Sequence, residues 1–411
     1  MAKHYSTRDF FRNTPNALLA RYFASRGVLQ GCDFTAMKET KIEPLFEAWL
    51  TVPEAERAKM EVELREIGDM SNPKGVQAII DEAEFHLSED GAHVAFVAKL
   101  MELPGHHERA MTVFLDHPEM WRGATRLYHA DTLSHWRKRK NMPKKKAAVD
   151  EASIEALSEA IGRYYQLTEG RGKHCKVECY RRGELEYFFA FPEDYAQNAP
   201  EWAGDELALQ SRHPPFEIVF VWDGADGRLD LHLTGDRRAV EPLQAIFAEH
   251  ILKCEELPAD PADNRVYDLW PMRRKDFRFT WDMASGIERV AVNKLRLALS
   301  GRKGDKLTLE ADARHNLYAI HDLLEKLAPV LPASAYLVTQ VGVTATVKVS
   351  PTAPARNVTF QISHPNSCSL KYDEVGLKLR AMLEASGIEP KPPEVEAAGP
   401  AEIAAESAIP A

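Results

Sequence analysis

The sequence predicts an α+β protein: an all-helical N-terminal domain followed by a C-terminal region of one or two domains, rich in β-hairpins and helices. Apolar residues recur at helical spacing over about the first 135 residues, and from Lys173 the spacing changes to two. The later hairpin patterns lead into amphipathic helices. With 411 residues the chain exceeds one domain of roughly 100–200 residues, so two or three domains are expected.

The N-terminal helical domain is predicted to cover residues 1–136. Leu18, Leu19, Tyr22 and Phe23 illustrate the helical spacing of its apolar residues. Glycine and proline interrupt this pattern, as is typical of helices separated by turns, and we expect about five or six helices. The main breaks fall at Gly27, Gly31, Pro53, Pro73, Gly91 and Pro104.

Residues 137–150 are predicted to form a basic linker between domains. Seven of the ten residues from Arg137 to Lys146 are Lys or Arg, and Pro143 interrupts the run. Like charges repel one another and cannot build an apolar core, so such a run favours a solvated segment. We therefore place a domain boundary here.

Two α+β domains are predicted after the linker, over residues 151–260 and 261–389. In the first, an amphipathic helix precedes hairpins that turn at 182–183 and 223–227, and a helix over about 238–252 follows. The second repeats this order of hairpin and helix. The similarity indicates either a degenerate internal repeat or ordinary hairpin–helix units, and we favour the latter because no fixed period relates them.

The last residues, 390–411, are predicted to form a disordered acidic tail. Pro, Ala and Glu dominate this segment, so it has too few large apolar side chains to repay the entropy cost of ordering.

Other features favour a cytoplasmic protein without membrane contact. No apolar run approaches the roughly 18–20 residues that span a bilayer. The N-terminus lacks the apolar core of a signal peptide. Five cysteines in so long a chain do not suit a disulfide framework, which favours a reducing compartment.

The basic linker is also the main candidate binding site. A formal net charge of −10 argues against a protein that coats nucleic acid with its whole surface, but it permits a local basic patch. Cations in the linker would neutralise phosphates, and Trp136 would stack on an exposed base. The other interpretation is a solvated linker that keeps two acidic domains apart. The predicted nucleic-acid-binding residues are Trp136, Arg137, Lys138, Arg139, Lys140, Lys144, Lys145 and Lys146.

A second cluster mixes basic and aromatic side chains. Such a mixture suits single-stranded nucleic acid, where bases stack on rings and cations hold the backbone. In a β-strand, however, Phe277, Phe279 and Trp281 would point to one face, as core residues do. Core packing is therefore the favoured interpretation. The complete cluster is Trp270, Arg273, Arg274, Lys275, Phe277, Arg278, Phe279 and Trp281.

The sequence assigns no catalytic residue, no metal ligand and no cofactor. Histidines between His106 and His135 lack the spacing of a metal site. Cys175 and Cys179 fall on one strand face, which fits buried thiols better than a nucleophile. A metal-dependent nuclease needs an Asp and a Glu-x-Lys pattern on neighbouring strands, and that pattern is absent from the predicted strands. The carboxylates on or beside those strands are Glu178, Glu184, Glu186, Glu217 and Asp230.

These observations favour a cytoplasmic, non-enzymatic binding or accessory protein that contacts nucleic acid through the basic linker while the α+β region binds a protein partner. Two alternatives stay open. One is a metal-dependent hydrolase or nuclease with a site assembled in the β-rich half. The other is a scaffold subunit of a protein complex that binds no nucleic acid. The sequence does not indicate an oligomeric state.

Overall fold

The computed structural model describes residues 5–39, 41–87, 92–235, 237–258, 266–300, 304–348 and 355–389. These residues form twelve α-helices and twelve β-strands, which confirms the α+β prediction. The chain divides into two compact units. The first unit comprises Met1–Asn264 with Asn366–Leu379, and the second comprises Arg265–Pro365 with Arg380–Ala411.

The first unit begins with helices alone, which confirms the helical N-terminal part. Two of the described N-terminal helices follow a residue whose side chain accepts hydrogen bonds from the free N–H groups of the first turn. Asn72 is one of these: its side chain accepts from the amides of Lys74 and Gly75, and Pro73 follows it at the first helical position. The helices are α1 (Thr7–Asn13), α2 (Asn16–Ser25), α3 (Glu43–Leu50), α4 (Glu54–Met70), α5 (Pro73–His86), α6 (Ala92–Glu102), α7 (His106–Asp116) and α8 (Pro118–Ala130).

Strands and two further helices complete the long segment of the first unit. The predicted hairpin turns at Gly183 and Gly227 are confirmed, and both glycines have positive φ, which a glycine adopts without steric cost. The elements are β1 (Trp136–Arg139), α9 (Glu151–Glu169), β2 (Val177–Arg182), β3 (Leu185–Ala190), β4 (Gln197–Ala203), β5 (Glu206–Arg212), β6 (Ile218–Asp223), β7 (Arg228–Leu233) and α10 (Val240–His250).

The remaining elements belong to the second unit, except for one short strand and a shared helix. They are β8 (Ile287–Leu299), β9 (Lys306–Glu310), α11 (Ala319–Leu327), β10 (Tyr336–Val347), β11 (Arg356–Ser363), β12 (Ser367–Cys368) and α12 (Glu374–Ala385). Strand β12 lies in the first unit, and the division of the chain falls within α12.

The strands of the first unit are antiparallel and follow the order β2-β3-β6-β7-β1-β12. Strand β1 therefore pairs on one side with β7 and on the other with β12. Strands β4 and β5 pair only with each other among the described residues, as a separate hairpin.

Both faces of this sheet are buried, which explains why β3 and β6 are nearly continuous apolar runs. One face packs with the core of the N-terminal helices and the other with α9 and α10. The residues on the first face include Tyr187, Phe189, Val219 and Val221, and those on the second include Phe188, Ala190, Ile218 and Phe220.

The units differ from the predicted domains. The N-terminal helices share one core with the sheet, because an apolar sheet face must be covered by another layer. Residues 137–139 of the predicted linker lie in β1, inside the sheet. The predicted boundary at 260/261 and the predicted tail 390–411 lie outside the described residues.

The second unit has strands in the order β11-β10-β8-β9, and α11 packs against β8 and β9. Side chains of strand β10 alternate between the two faces of the sheet. Val341, Val343 and Ala345 are buried, whereas Thr344 and Thr346 lie on the other face. Hydroxyl and amide groups bond across that second face between β8, β10 and β11.

No helix among the described residues is both long and apolar enough to cross a membrane.

Candidate nucleic-acid interface

The predicted binding segment begins with a buried tryptophan. Trp136 is 1% exposed and meets the ring of Tyr372 edge to face, with 5.1 Å between ring centroids. It belongs to the core that the N-terminal helices share with the sheet. A base cannot stack on a ring in this position, so the stacking role predicted for Trp136 is wrong for this structure.

Lys138 and Arg139 are also buried. Lys138 lies opposite Asp230 in the register of β1 with β7. The guanidinium of Arg139 donates to the Gln244 side chain at 3.3 Å and to the carbonyl of Pro258 at 2.6 Å. The side chains of Lys138 and Arg139 therefore lie in the interior of the first unit and are not accessible to a polyanion.

Arg137 and Lys140 are partly exposed. Burial lowers the pKa of the Arg137 guanidinium, and the positive charge of Arg237 lowers it further. Arg137 thus lies near a second cation, Arg237.

Lys144, Lys145 and Lys146, called the lysine row below, are the exposed part of the predicted segment. Their backbone is anchored by hydrogen bonds before, within and after the row. The amide of Met142 donates to the Gly227 carbonyl at 3.0 Å, and the indole of Trp222 donates to the Lys145 carbonyl at 3.0 Å. Beyond the row, the amide of residue 148 donates to the carbonyl of residue 251 at 2.9 Å.

Two glycines allow this close approach of the segment to the β6–β7 turn. A Cβ atom at Gly227 would lie 2.3 Å from the Met142 carbonyl oxygen, and one at Gly224 would lie 2.7 Å from the Lys145 carbonyl oxygen. Real Cβ atoms do not approach backbone so closely. The lysine row is therefore held on the surface as an ordered strip, unlike the solvated linker of the alternative interpretation.

The acidic residues of the β6–β7 turn form ion pairs with Arg228. Arg228 contacts Asp223 at 2.9 Å and Asp226 at 3.0 Å. The other Asp223 carboxylate oxygen accepts the amides of Ala225 and Asp226, as the hairpin turn requires. Two aspartates and one arginine give the turn a formal net charge of −1, and Glu186 lies near Lys146.

The second predicted cluster lies in the second unit and lines a cavity of about 210 Å³. Phe277, Phe279 and Trp281 are partly exposed and belong to an irregular segment ahead of β8. The segment is not a strand, so the three side chains do not share a strand face, and they are partly buried around the cavity. We call the cavity the aromatic pocket; it is lined by Phe277, Arg278, Phe279, Trp281, Glu288, Arg289, Val290, Ala291, Val292, Leu317, Tyr318 and His321.

Most cations of that cluster are already engaged. Arg274 bonds Asp276 at 2.5 Å, and Lys275 bonds Asp322 at 2.6 Å. Arg273 stacks on Trp270 with its guanidinium carbon 3.9 Å from the ring centroid. The aromatic pocket consequently offers rings more than net charge.

The carboxylates considered for a nuclease site have other partners. Glu178 accepts hydrogen bonds from Arg122 and Arg126, Glu217 contacts His129 at 2.7 Å, and Asp230 accepts the hydroxyl of Tyr372. Within the described ranges, no three His, Cys, Asp or Glu side chains form a group that would hold a metal ion.

Cys175 and Cys179 were predicted to be buried, and both are partly buried against the core formed with α9 and α10. Burial raises the pKa of the Cys175 thiol to about 11 and that of Cys179 to about 12. Both groups are therefore protonated at neutral pH and lack the thiolate that nucleophilic chemistry needs.

The sequence interpretation missed the β4–β5 hairpin. Trp202 faces Leu207 across its strands and is 72% exposed, and Leu209 on the same face is also exposed. The available signal was Gly204-Asp205 between alternating apolar residues, which is a strong hairpin pattern.

Neither protein-family models nor curated proteins give a match to this chain.

Proposed function

We propose that this protein is a cytoplasmic, non-enzymatic binding or accessory protein that contacts nucleic acid through the lysine row. The observation that carries the proposal is the combination of exposure and anchoring at Lys144, Lys145 and Lys146. The predicted contribution of Trp136, Lys138 and Arg139 is not part of it, because these side chains are buried.

An anchored row of lysines suits phosphate binding for two reasons. Each cation that pairs with a phosphate releases condensed counterions, which supplies sequence-independent affinity. A backbone already held in place loses less conformational entropy on binding than a flexible linker would. Arg137 and Lys140 extend the positive strip along the chain.

The test is duplex DNA binding by the full chain across a salt series. Each lysine–phosphate contact contributes about −0.9 to the slope of log K against log salt. We expect the triple variant Lys144→Ala, Lys145→Ala and Lys146→Ala to bind more weakly, with a slope smaller in magnitude by about 2–3.

A matched control removes the same charge elsewhere. Lys38, Lys59 and Lys173 are exposed residues of the first unit outside the row. Their triple Ala variant should keep most of the affinity and the slope. Equal losses in the two triple variants, or no loss in either, would overturn the proposal.

Protein binding is a second candidate function, favoured by the exposed apolar face of the β4–β5 hairpin. Trp202, Leu207 and Leu209 have most of their side-chain surface in contact with water, and exposed apolar patches mark interaction sites. Asp205 and Glu206 at its tip are exposed acids, so the partner we propose has an apolar patch with a basic rim. Affinity capture with the full chain, compared with Trp202→Ser and Leu209→Ser, tests this: retention of the same partner by both variants would exclude the hairpin.

A further inference from the structure

The aromatic pocket presents rings from two parts of the second unit. Phe277, Phe279 and Trp281 come from the segment ahead of β8, and Tyr318 comes from the start of α11. The rings of Phe277 and Phe279 meet edge to face at 5.1 Å between centroids. At about 210 Å³, the cavity is smaller than the roughly 300–1,000 Å³ of pockets for drug-sized ligands, so it has room for about one ring system.

Arg278 lies at the edge of the pocket and has N–H donors that are not used in its hydrogen bonds to backbone carbonyls. Arg278 is exposed, and its guanidinium carbon lies 5.4 Å from the centroid of the Tyr318 ring. Its Nη1 group donates to the carbonyls of Lys275 and Phe277, both at 2.9 Å. A guanidinium has five N–H donors, so the Nε and Nη2 donors remain for an anion beside the pocket.

A buried acceptor completes the lining. His321 is 6% exposed, and its Nε2 donates to the Met272 carbonyl at 3.0 Å, which leaves Nδ1 as an acceptor. Among the described residues, Nδ1 has no hydrogen-bond partner. Buried polar groups are normally bonded, so this unpaired acceptor on a pocket residue is available to a ligand that brings an N–H donor.

We propose that the aromatic pocket binds one unpaired nucleobase. The base stacks on the pocket rings, an amino or ring N–H group donates to Nδ1 of His321, and the attached phosphate pairs with Arg278. A nucleotide combines these three features: a flat ring, an N–H donor and a neighbouring anion. It can be free or part of a single strand. The inference rests on the proposed function only in choosing nucleic acid, since its residues are separate from the lysine row.

The experiment compares single-stranded and duplex DNA of the same sequence by fluorescence anisotropy with the full chain. Trp281→Ala should weaken single-strand binding by roughly five- to hundredfold, as expected for one lost base–aromatic stack. Duplex binding should not change, because paired bases are not available to the pocket. Phe85→Ala is the control, since it removes an exposed aromatic side chain that lies outside both the pocket and the β4–β5 hairpin.

A second variant separates stacking from loss of structure. Phe279→Leu keeps an apolar side chain but removes a ring, so it should retain the thermal unfolding midpoint and still lose single-strand affinity. Free mononucleotides added as competitors distinguish the two sources: competition identifies a nucleotide pocket, and its absence with intact oligonucleotide binding identifies a base held within a strand.

The two proposals fail in different ways. A lysine-row variant with unchanged duplex affinity and salt slope overturns the proposed function alone. Pocket variants that leave single-strand affinity unchanged, or that weaken single-stranded and duplex DNA equally, overturn the base-binding pocket.

Discussion

Lys138 and Asp230 lie directly opposite each other on the neighbouring antiparallel strands β1 and β7, and both are buried. The hydroxyl of Tyr372 donates to the same Asp230 carboxylate. A lysine from the most basic segment of the chain is therefore placed inside the sheet, facing a carboxylate 92 positions later in the sequence.

The contact between Tyr372 and Asp230 predicts a loss of stability when the carboxylate charge is removed. Asp230→Asn exchanges the charged acceptor of the Tyr372 hydroxyl for a neutral amide, and hydrogen bonds to charged groups contribute about 1.5–3 kcal/mol where neutral ones contribute about 0.5–1.5 kcal/mol. Urea unfolding measures the change. Replacing both partners of the hydrogen bond by apolar side chains, Asp230→Leu with Tyr372→Phe, should recover most of the loss.

Asp226→Asn provides the control for that measurement. Asp226 lies on the same hairpin but is half exposed, and Arg228 keeps its contact with Asp223. We expect a change within about 0.5 kcal/mol. A loss for Asp230→Asn no larger than the loss for Asp226→Asn would contradict the hydrogen bond between Tyr372 and Asp230.

The anchoring of the lysine row predicts unequal effects of alanine at two turn glycines. Gly183 and Gly227 both have positive φ, a conformation that costs other residues about 1–2 kcal/mol. Of these two glycines, only Gly227 has backbone where a Cβ atom would lie, namely the Met142 carbonyl. Gly227→Ala should therefore destabilise the protein more than Gly183→Ala and reduce hydrogen-exchange protection of the Met142 amide. Equal losses would show that the segment does not press on the turn.

Glu178 predicts a pH-dependent contribution to stability. Burial raises the pKa of this carboxyl, but hydrogen bonds and charge from Arg126 and Arg122 lower it by more, so the net pKa is below the ordinary 4.5. The stabilisation is therefore present above pH 4.5 and is lost as the pH falls through the folded pKa. Glu178→Gln should cost about 1–3 kcal/mol at pH 7.

Urea unfolding at pH 7 and again below pH 4.5 checks this, because the difference between wild type and Glu178→Gln should narrow at the lower pH. Glu184→Gln is the control: the Glu184 side chain is 84% exposed and its contact with Arg181 is 3.8 Å, so the change should stay within about 0.5 kcal/mol at both pH values. If the difference in unfolding free energy between wild type and Glu178→Gln were the same at both pH values, the arginine contacts would be contradicted.

The raised thiol pKa values of Cys175 and Cys179 predict slow alkylation of the native protein. At pH 8 only a very small fraction of either thiol is ionised, and the thiolate is the reactive form. Timed iodoacetamide labelling with peptide mass spectrometry should find both residues nearly unmodified until urea unfolds the chain. Labelling at the unfolded rate under native conditions would contradict their burial.

Much of the fold was readable from local patterns. The helical spacing of Leu18, Leu19, Tyr22 and Phe23 and the turn at Gly183 act over a few residues, so they are visible in any short window. Strand β1 was not, because its four residues are a tryptophan and three cations, and nothing local says that β7 and β12 will flank them. The alternation of Phe277, Phe279 and Trp281 was visible, yet it does not form a strand.

The candidate sites, like the fold, were predictable from the sequence only in part. The amino-acid sequence by itself determined the α+β class, the hairpins with clear turn residues and the concentration of positive charge between residues 137 and 146, since these depend on neighbours along the chain. Only the tertiary structure decided which of those cations meet water: Lys138 is covered and Lys144 is exposed because burial is set by groups far away in sequence. Solvent exposure is a property of the packed molecule, and the cost of burying a charge depends on the partner that packing brings to it.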